Sequence, residues 1–174
     1  MTGTDEQLIE GIAGGSEAAL RTLEQRYADR LYRYALCRLG HADEARDAAQ
    51  DTLLAVWTGA DGFEGDSSVS TWLFGICRNK VGDRLRRRRA REEPLELAQA
   101  LARLDHGEDA LQLWQCLSQL SDDDHDLVLL VLYCGFSQQQ VARIMGIPAG
   151  TVKSRTHYAR RRLQRLMDGG DGGG

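Results

Sequence analysis

The spacing of apolar residues is the feature that most constrains the fold of this chain. Large apolar side chains recur at steps of three and four residues, as at Leu23, Tyr27 and Leu31. This period places them on one side of an α-helix, whereas a half-buried strand would alternate every second residue. Strand-like alternation is nearly absent, and the only prolines are Pro94 and Pro148. The sequence therefore predicts an all-α protein.

The same period divides the chain into helices and connecting segments. Helices are predicted over 16–38, 41–58, 70–89, 108–120, 121–134, 138–145 and 149–167. Residues 59–68 are rich in Gly, Asp and Ser and are predicted to form a loop. We therefore predict two small helical domains, at 1–90 and 108–168. The predicted connection is a flexible acidic linker at 91–107, and a disordered glycine-rich tail follows at 169–174.

The net charge of −4 conceals two strongly basic segments with an acidic one between them. Residues 78–91 carry 8 basic and 1 acidic side chains, and residues 150–166 carry 6 basic and none acidic. Residues 92–126 carry 1 basic and 10 acidic side chains. Because salt screens charges beyond about 8–10 Å, a phosphate group responds to the local segment rather than to the total charge. This distribution favours nucleic-acid binding by the two basic segments.

Several classes of protein do not fit this composition. The cysteines and histidines are scattered, without the close pairs of a structural zinc site, so no metal is expected. The buried, reduced thiols that we expect instead are Cys37, Cys77, Cys116 and Cys134. No apolar run reaches the roughly 18 residues of a membrane span, and residues 1–10 lack the pattern of a signal peptide. Catalytic motifs are also missing, so we expect a cytoplasmic, non-enzymatic protein without cofactors or membrane insertion.

Residues 138–157 fit a helix-turn-helix motif. Ser137 can cap the first helix, and the small Ala142 suits a close helix crossing. Gly146 falls at the turn, where a positive φ costs glycine least, and Pro148 prevents the first helix from continuing. The apolar contacts between the two helices are expected from Val141, Ile144, Ile147 and Val152. A plain helical hairpin would explain the same spacing, but the polar residues of the second helix favour DNA binding.

The second helix of this motif has a buried side and a polar side. The predicted buried residues are Val152, Ala159, Leu163 and Leu166. In a recognition helix the N-terminal half reaches the base edges, while other polar residues contact phosphates. The predicted base or near-base contacts are Lys153, Ser154, His157, Tyr158 and Arg161. The predicted phosphate contacts are Thr151, Arg155, Arg160 and Arg162.

The segment STWLFGICRNKVGDRLRRRR at 70–89 predicts a second nucleic-acid surface. One side of this helix is apolar, and the other is polar and mainly basic. Such a helix, preceded by a loop that holds Phe63, can follow a single strand and hold an unstacked base. A basic helix that is merely soluble, or a disordered arginine-rich tail, would leave the same residues without a ligand.

Three segments resemble conserved regions of extracytoplasmic-function sigma factors. The sequence ADEARDAAQDTLLAVW at 42–57 resembles region 2.2, and the segment at 70–89 resembles regions 2.3 and 2.4. The sequence FSQQQVARIMGIPAGTVKSR at 136–155 resembles region 4.2. The three matches stand in the order found in the family, and together they span about residues 16 to 166.

This resemblance implies that the chain binds core RNA polymerase and directs promoter-specific initiation by recognising −10 and −35 elements. Docking on the coiled coil of the largest polymerase subunit would use Asp47, Gln50, Asp51 and Trp57. Recognition of the −10 element would use Phe63, Asn79, Asp83, Arg84, Arg86 and Arg87. Recognition of the −35 element would use Thr151, Lys153, Ser154, Arg155, His157, Tyr158 and Arg161. The resemblance also implies a cognate anti-sigma factor.

Three features depart from the family pattern. Position 158 is often basic in the family but is Tyr158 here, and position 157 is often aromatic or aliphatic but is His157 here. The −35 sequence that this chain recognises is therefore expected to be unusual. The helix after Leu120 often carries an arginine near its start, whereas this chain has SDDDHD.

Two other interpretations remain open at this point. A helix-turn-helix regulator that binds duplex DNA without polymerase would explain 137–166, although it would usually need a dimer. It would leave the segments at 42–57 and 70–89 unexplained. A helical adaptor that acts only through protein contacts predicts that function survives neutralisation of three arginines, Arg160, Arg161 and Arg162.

Overall fold

The computed structural model of the chain describes residues 3–91 and 108–169. It divides into two compact units, Met1–Leu95 and Glu96–Gly174. Within the described ranges the regular structure is helical and contains no β-strand, which confirms the all-α class. Apart from their first residues, the predicted linker at 91–107 and the predicted tail at 169–174 lie outside the described residues.

Residues 3–91 form four α-helices and a short 3-10 turn. The elements are α1 (Asp5–Ala13), α2 (Glu17–Leu39), α3 (Ala42–Gly59), the turn Ala60–Gly62 and α4 (Val69–Ala90). Each α-helix begins after a residue whose side chain accepts a hydrogen bond from the backbone N–H three positions on. These N-caps are Thr4, Ser16, His41 and Ser68. Such caps satisfy backbone donors that have no partner within the helix, and thereby fix where each helix starts.

The core of the first unit lies where α2, α3 and α4 meet. From α2, Leu23 and Tyr34 are fully buried, and from α4, Leu73 and Phe74. The rings of Tyr34 and Phe74 meet edge to face at 5.7 Å, a geometry that stabilises an aromatic pair by about 0.5–1.5 kcal/mol beyond its buried area. On α3 the buried positions include the small Ala45 and Ala48, which let α2 approach closely. The apolar positions predicted on α2, Leu23, Tyr27 and Leu31, are all buried.

Helix α1 was not predicted. It has only three buried apolar residues, which gives a weak periodic signal. A capping box does mark its start, since Thr4 and Gln7 exchange side-chain and backbone hydrogen bonds. Arg26 on α2 anchors the same end through an ion pair with Asp5 at 2.6 Å.

The second unit has four α-helices over residues 108–169. They are α5 (Glu108–Leu117), α6 (Asp122–Val128), α7 (Gln138–Met145) and α8 (Ala149–Gly169), with a π-helical turn at Leu129–Tyr133 after α6. Ser121 caps α6 as predicted, accepting a hydrogen bond from the backbone N–H of Asp124 at 3.3 Å. Every element of the unit contributes apolar residues to its core. These residues include Trp114, Leu127, Leu130, Val141 and Val152.

Residues 127–134 are almost wholly apolar, but only the first half of this segment is buried. Leu127 and Leu130 are fully buried, but Leu132 and Tyr133 are 45% and 46% exposed. The backbone N–H of Cys134 bonds to the carbonyl of Leu129, five positions back, which is the π-helical pattern. The extra residue in this turn rotates the later side chains away from the core.

No helix among the described residues combines the length and the apolar character needed to cross a membrane.

Candidate nucleic-acid interface

Helices α7 and α8 form the predicted helix-turn-helix. At the start of α7, Ser137 and Gln140 exchange hydrogen bonds of 2.9 and 3.1 Å in a second capping box. Gly146 ends α7 with φ of 67°, and its N–H bonds back to the carbonyl of Ala142. Val141 and Val152 are fully buried at the contact of the two helices. The motif is therefore confirmed in its cap and its turn. Of the predicted apolar contacts, Ile144 is buried as well, whereas Ile147 is half-buried.

Helix α8 buries one side and exposes a basic one. Val152, Ala159 and Leu163 are buried as predicted, whereas Leu166 is half-buried. Thr156 is also buried, and its hydroxyl donates to the carbonyl of Val152 at 2.6 Å. The exposed residues include Lys153, Ser154, His157, Tyr158, Arg160, Arg161, Arg162 and Arg165. This face can present cations to phosphates and polar groups to base edges at the same time.

An aromatic pair stands at the centre of the exposed face. Tyr158 is 69% exposed, and its ring meets that of His157 edge-on at 5.7 Å between centroids. Among the predicted −35 contacts, Thr151 is half-buried, and its carbonyl accepts a hydrogen bond from the Ser154 hydroxyl at 3.2 Å.

Arg155 has a partner inside the protein that the sequence did not reveal. Its Nε and Nη2 donate to Oδ1 of Asp124 at 3.0 and 2.8 Å, and Nη1 lies 3.7 Å from Oδ2 of Asp123. This contact joins α8 to the start of α6, and it gives a structural use to the acidic sequence SDDDHD. The DNA contact expected of Arg155 stays a prediction, and it would have to compete with this ion pair.

The polar side chains in the arginine-rich part of α4 point in two directions. Asn79, Arg86 and Arg87 are exposed, and Asp83 forms an ion pair with Arg86. In contrast, Arg84 turns toward α3, where its Nη2 lies 2.6 Å from Oδ2 of Asp51. The basic face expected from the sequence is therefore narrower than predicted.

Arg88, which the sequence did not single out, also faces α3. Its Nε lies 2.9 Å from Oε2 of Glu44, and its Nη1 donates to the carbonyl of Leu39 at 2.8 Å. The side chain is buried. Arg84 and Arg88 are one turn apart on α4, so together they tie this helix to α3.

Phe63 lies between α1 and the start of α4. Its ring is 5.1 Å from that of Trp72, and the side chain is half-buried. Beside it α1 and the turn at 60–65 line a groove of about 500 Å³. The rim of this groove carries four acidic residues, Glu6, Glu10, Asp61 and Glu64. Because acidic groups repel phosphates, a DNA backbone would approach Phe63 from the basic side of α4.

Helix α3 exposes a stripe of mixed character. The four predicted docking residues share this side, with Asp47 and Gln50 exposed and Asp51 and Trp57 partly buried. Leu54 lies among them and is 59% exposed, although the sequence analysis did not include it. Its spacing of four from Gln50 and three from Asp51 places it on the same face and could have identified it. We call these five residues the α3 stripe.

The described residues contain no group of three or more His, Cys, Asp or Glu side chains arranged to hold a metal ion. All four cysteines are thiols; three are buried and Cys134 is half-buried.

These features define a helical transcription protein that has a helix-turn-helix in its second unit and a basic helix in its first. Comparison with known families gives two matches, sigma-70 region 2 over residues 23–91 and sigma-70 region 4 over residues 110–163. The chain is 36% identical to the ECF RNA polymerase sigma factor SigM of Mycobacterium tuberculosis, over 94% of this chain and 85% of SigM. It is 34% identical to SigL of the same species, over 90% of this chain and 93% of SigL.

Two solved structures are also similar. CnrH, solved with the cytosolic domain of CnrY, superposes with a TM-score of 0.76 at 29% identity, covering 95% of this chain and 97% of CnrH. The sigma factor RpoE of Bartonella quintana, solved with the anti-sigma factor NepR, gives a TM-score of 0.69 at 30% identity, covering 85% of this chain and 96% of RpoE.

The chain belongs to the family of extracytoplasmic-function RNA polymerase sigma factors. It therefore acts with core RNA polymerase and directs transcription initiation at specific promoters. The family is not catalytic.

Proposed function

We propose a division of labour between the two units of this sigma factor. The second unit, residues 108–168, recognises the −35 element with the exposed face of α8. The first unit, residues 1–90, docks on core polymerase through the α3 stripe and holds the −10 strand with the exposed face of α4. The observation that carries the proposal is that α8 buries Val152, Ala159 and Leu163 while it exposes an unbroken basic and aromatic face.

Recognition of the −35 element combines two kinds of contact. Lys153, Ser154, His157, Tyr158 and Arg161 lie in the part of α8 that can enter the major groove. Arg160 and Arg162 flank them and are suited to phosphates, which set affinity and register rather than sequence preference. The adjoining rings of His157 and Tyr158 replace the residue types common in the family, which supports an unusual −35 sequence.

Substitution of Arg161 tests the −35 assignment. If this side chain is bidentate to a base, Arg161→Ala should weaken promoter use by about 1–3 kcal/mol and relax the preference at one −35 position. The measurement is transcription from a promoter set in which each −35 base is varied. Arg165→Ala removes the same charge one turn further along α8, and should lower activity similarly on every promoter. An unchanged promoter profile for Arg161→Ala would remove that residue from the base contacts.

Recognition of the −10 element falls to α4 and the loop before it. Asn79, Arg86 and Arg87 are exposed along one side of α4, and Phe63 lies in the loop that precedes it. Two contributions hold single-stranded DNA: bases stack on aromatic side chains, and cationic side chains attract the phosphate backbone. Capture of unstacked bases would then offset the few kcal/mol that opening each step costs. The polymerase performs the chemistry, and the chain supplies binding energy only.

The docking assignment is tested on α3. Gln50→Ala combined with Asp51→Ala should lower the affinity for core polymerase and leave the helical content unchanged, because Gln50 is exposed and the Asp51 side chain is 47% exposed. The measurement is co-purification with core polymerase and titration by fluorescence anisotropy. Glu24→Ala combined with Gln25→Ala is a matched control, since it removes an acid and an amide from the exposed side of α2. Equal binding by the docking variant and the unsubstituted protein would contradict the assignment.

We also infer that the chain has a cognate anti-sigma factor and works in the cytoplasm. The inference is supported by the RpoE structure, in which a sigma factor of the same fold was solved with an anti-sigma factor. Affinity capture with the full chain from its own cells, followed by mass spectrometry, tests for that partner.

A further inference from the structure

One ion pair connects two surfaces to which the sequence assigns different ligands. Arg84 belongs to the predicted −10 set on α4, and Asp51 belongs to the predicted docking set on α3. Nη2 of Arg84 lies 2.6 Å from Oδ2 of Asp51. Its Nη1 also donates to the carbonyl of Lys80 at 3.2 Å, so the guanidinium is held from two sides.

The environment of Arg84 suits a protein contact better than a DNA contact. Its side chain is only 13% exposed, whereas that of Arg86 on the same helix is 69% exposed. Arg86 also has an acidic partner, Asp83, but both side chains of that pair are largely exposed, so water screens the pair and Arg86 can leave it for a phosphate at little cost. Arg84 would first have to break a charge-assisted hydrogen bond and leave Asp51 without its cation.

Asp51 remains able to bind a partner while Arg84 holds it. Its side chain is 47% exposed, and it lies beside Gln50 and Leu54 on the α3 stripe. A carboxylate has two oxygens with separate lone pairs, so Oδ1 can accept a hydrogen bond while Oδ2 is occupied. A side chain fixed before binding loses less conformational freedom when the complex forms.

We propose that Arg84 is a positioning residue for polymerase docking, which orients Asp51 on the α3 stripe, and that it does not hold the DNA strand. The inference rests on the proposed docking role of the α3 stripe. It assigns Arg84 to the function of α3 although its backbone belongs to α4.

A purely structural role is the alternative, and Arg88 shows what that role looks like. Its contacts are to the Leu39 carbonyl and to Glu44, which is not one of the predicted docking residues, and its side chain is only 9% exposed. If Arg84 only fastened α4 to α3 through Asp51, its loss would lower the free energy of unfolding, and polymerase binding would fall only as far as the loosened fold requires. If Arg84 acts through Asp51, its effect on polymerase binding requires that carboxylate.

A double-mutant cycle on the full chain separates the two roles. Affinity for core polymerase is measured for the unsubstituted protein, Arg84→Gln, Asp51→Asn and the double variant, and the free energy of unfolding of each is measured by denaturant titration. A loss of affinity in Arg84→Gln that is fully explained by its loss of stability would show a purely structural role and overturn the inference. We expect Arg84→Gln to weaken binding about three- to tenfold, because the Asp51 side chain is then no longer ordered before the complex forms. We expect no further loss when Arg84→Gln is added to Asp51→Asn. Arg21→Gln breaks an exposed ion pair with Glu17 on α2 and should leave the affinity unchanged.

The outcomes distinguish this inference from the docking proposal itself. Additive losses in the cycle, or unchanged affinity for Arg84→Gln while Asp51→Asn binds weakly, would overturn the role of Arg84 and leave the docking surface intact. Unchanged affinity for Asp51→Asn would overturn the inference, and Gln50→Ala would then report whether the rest of the α3 stripe docks. Arg84→Lys keeps the charge but loses the planar contact, so it repeats the test in a variant with less risk to the fold.

Discussion

Tyr27 joins the start of α1 to α2 through its phenol. The side chain is buried, and its hydroxyl donates a hydrogen bond to Asp5. Burial raises the pKa of Tyr27 to about 12, and the hydrogen bond to Asp5 acts in the same direction. The neutral phenol is therefore the form that the folded protein favours, and its ionisation should loosen the attachment of α1.

This pKa predicts a specific loss of stability in alkali. An unfolded tyrosine ionises near pH 10, so the unfolded state releases its proton first as the pH rises. The contribution of Tyr27 is complete below about pH 10 and is lost by about pH 12. The free energy of unfolding, measured by denaturant titration, should fall less steeply across this range in Tyr27→Phe than in the unsubstituted protein. Tyr158→Phe changes an exposed phenol and should not alter the slope; equal slopes in all three proteins would refute the coupling.

The sequence predicted the direction of side chains better than it predicted their partners. The helical period correctly predicted that Lys153, His157 and Arg161 are exposed and that Val152 is buried. It could not show that Arg155 would contact Asp124, because that ion pair joins residues that are distant in the sequence. For the same reason Arg84 was grouped with its exposed neighbours. A charged residue on a helix has a predictable angle, but its partner depends on which helix packs beside it.

At the scale of secondary structure, the turn between α7 and α8 depends on one backbone conformation. Gly146 has a φ of 67°, in the left-handed region, and the space where a Cβ would stand is open. Gly146→Ala should therefore destabilise the second unit by about 1–2 kcal/mol through backbone strain alone. Gly150→Ala is the matched control, because Gly150 lies inside α8 and also has open space around it. The alanine there should be neutral or stabilising.

Hydrogen exchange of the backbone amides in 138–169 measures this difference. Faster exchange across α7 and α8 in Gly146→Ala, but not in Gly150→Ala, is the expected result. Equal protection in both variants would show that the turn tolerates a side chain and that the glycine is not needed for its conformation.

Elements with many buried apolar residues were predicted well, and those with few were not. Helices α2, α3, α4 and α8 have long periodic patterns, and their bounds lie within two residues of the predicted ones. Helix α1 has a short pattern and was missed. The π-helical turn at Leu129–Tyr133 lies within a continuous apolar run. Such a run has no periodic pattern, so the sequence could not show that a turn here contains one extra residue.

At the scale of the whole molecule, the proposed function divides promoter recognition between two small units. Each unit carries a basic helix backed by a helix that buries its apolar side, so the net charge says little about DNA binding. Acidic residues lie on the α3 stripe, at the start of α6, where they hold Arg155, and around the groove beside Phe63. A regulator that binds duplex DNA would need only the second unit. That interpretation would assign no role to the α3 stripe.

In vitro transcription with core RNA polymerase, with and without this protein, on a pool of bacterial promoter fragments tests the central claim most directly. The account predicts new transcripts that depend on the protein and whose promoters share one −35 and one −10 sequence. Arg161→Ala should weaken promoter use and relax the −35 preference without changing the −10 preference. Arg87→Gln should weaken opening at the −10 element. The absence of specific transcripts, with active core polymerase and with a DNase footprint made by the protein alone, would contradict the account and favour a regulator of duplex DNA.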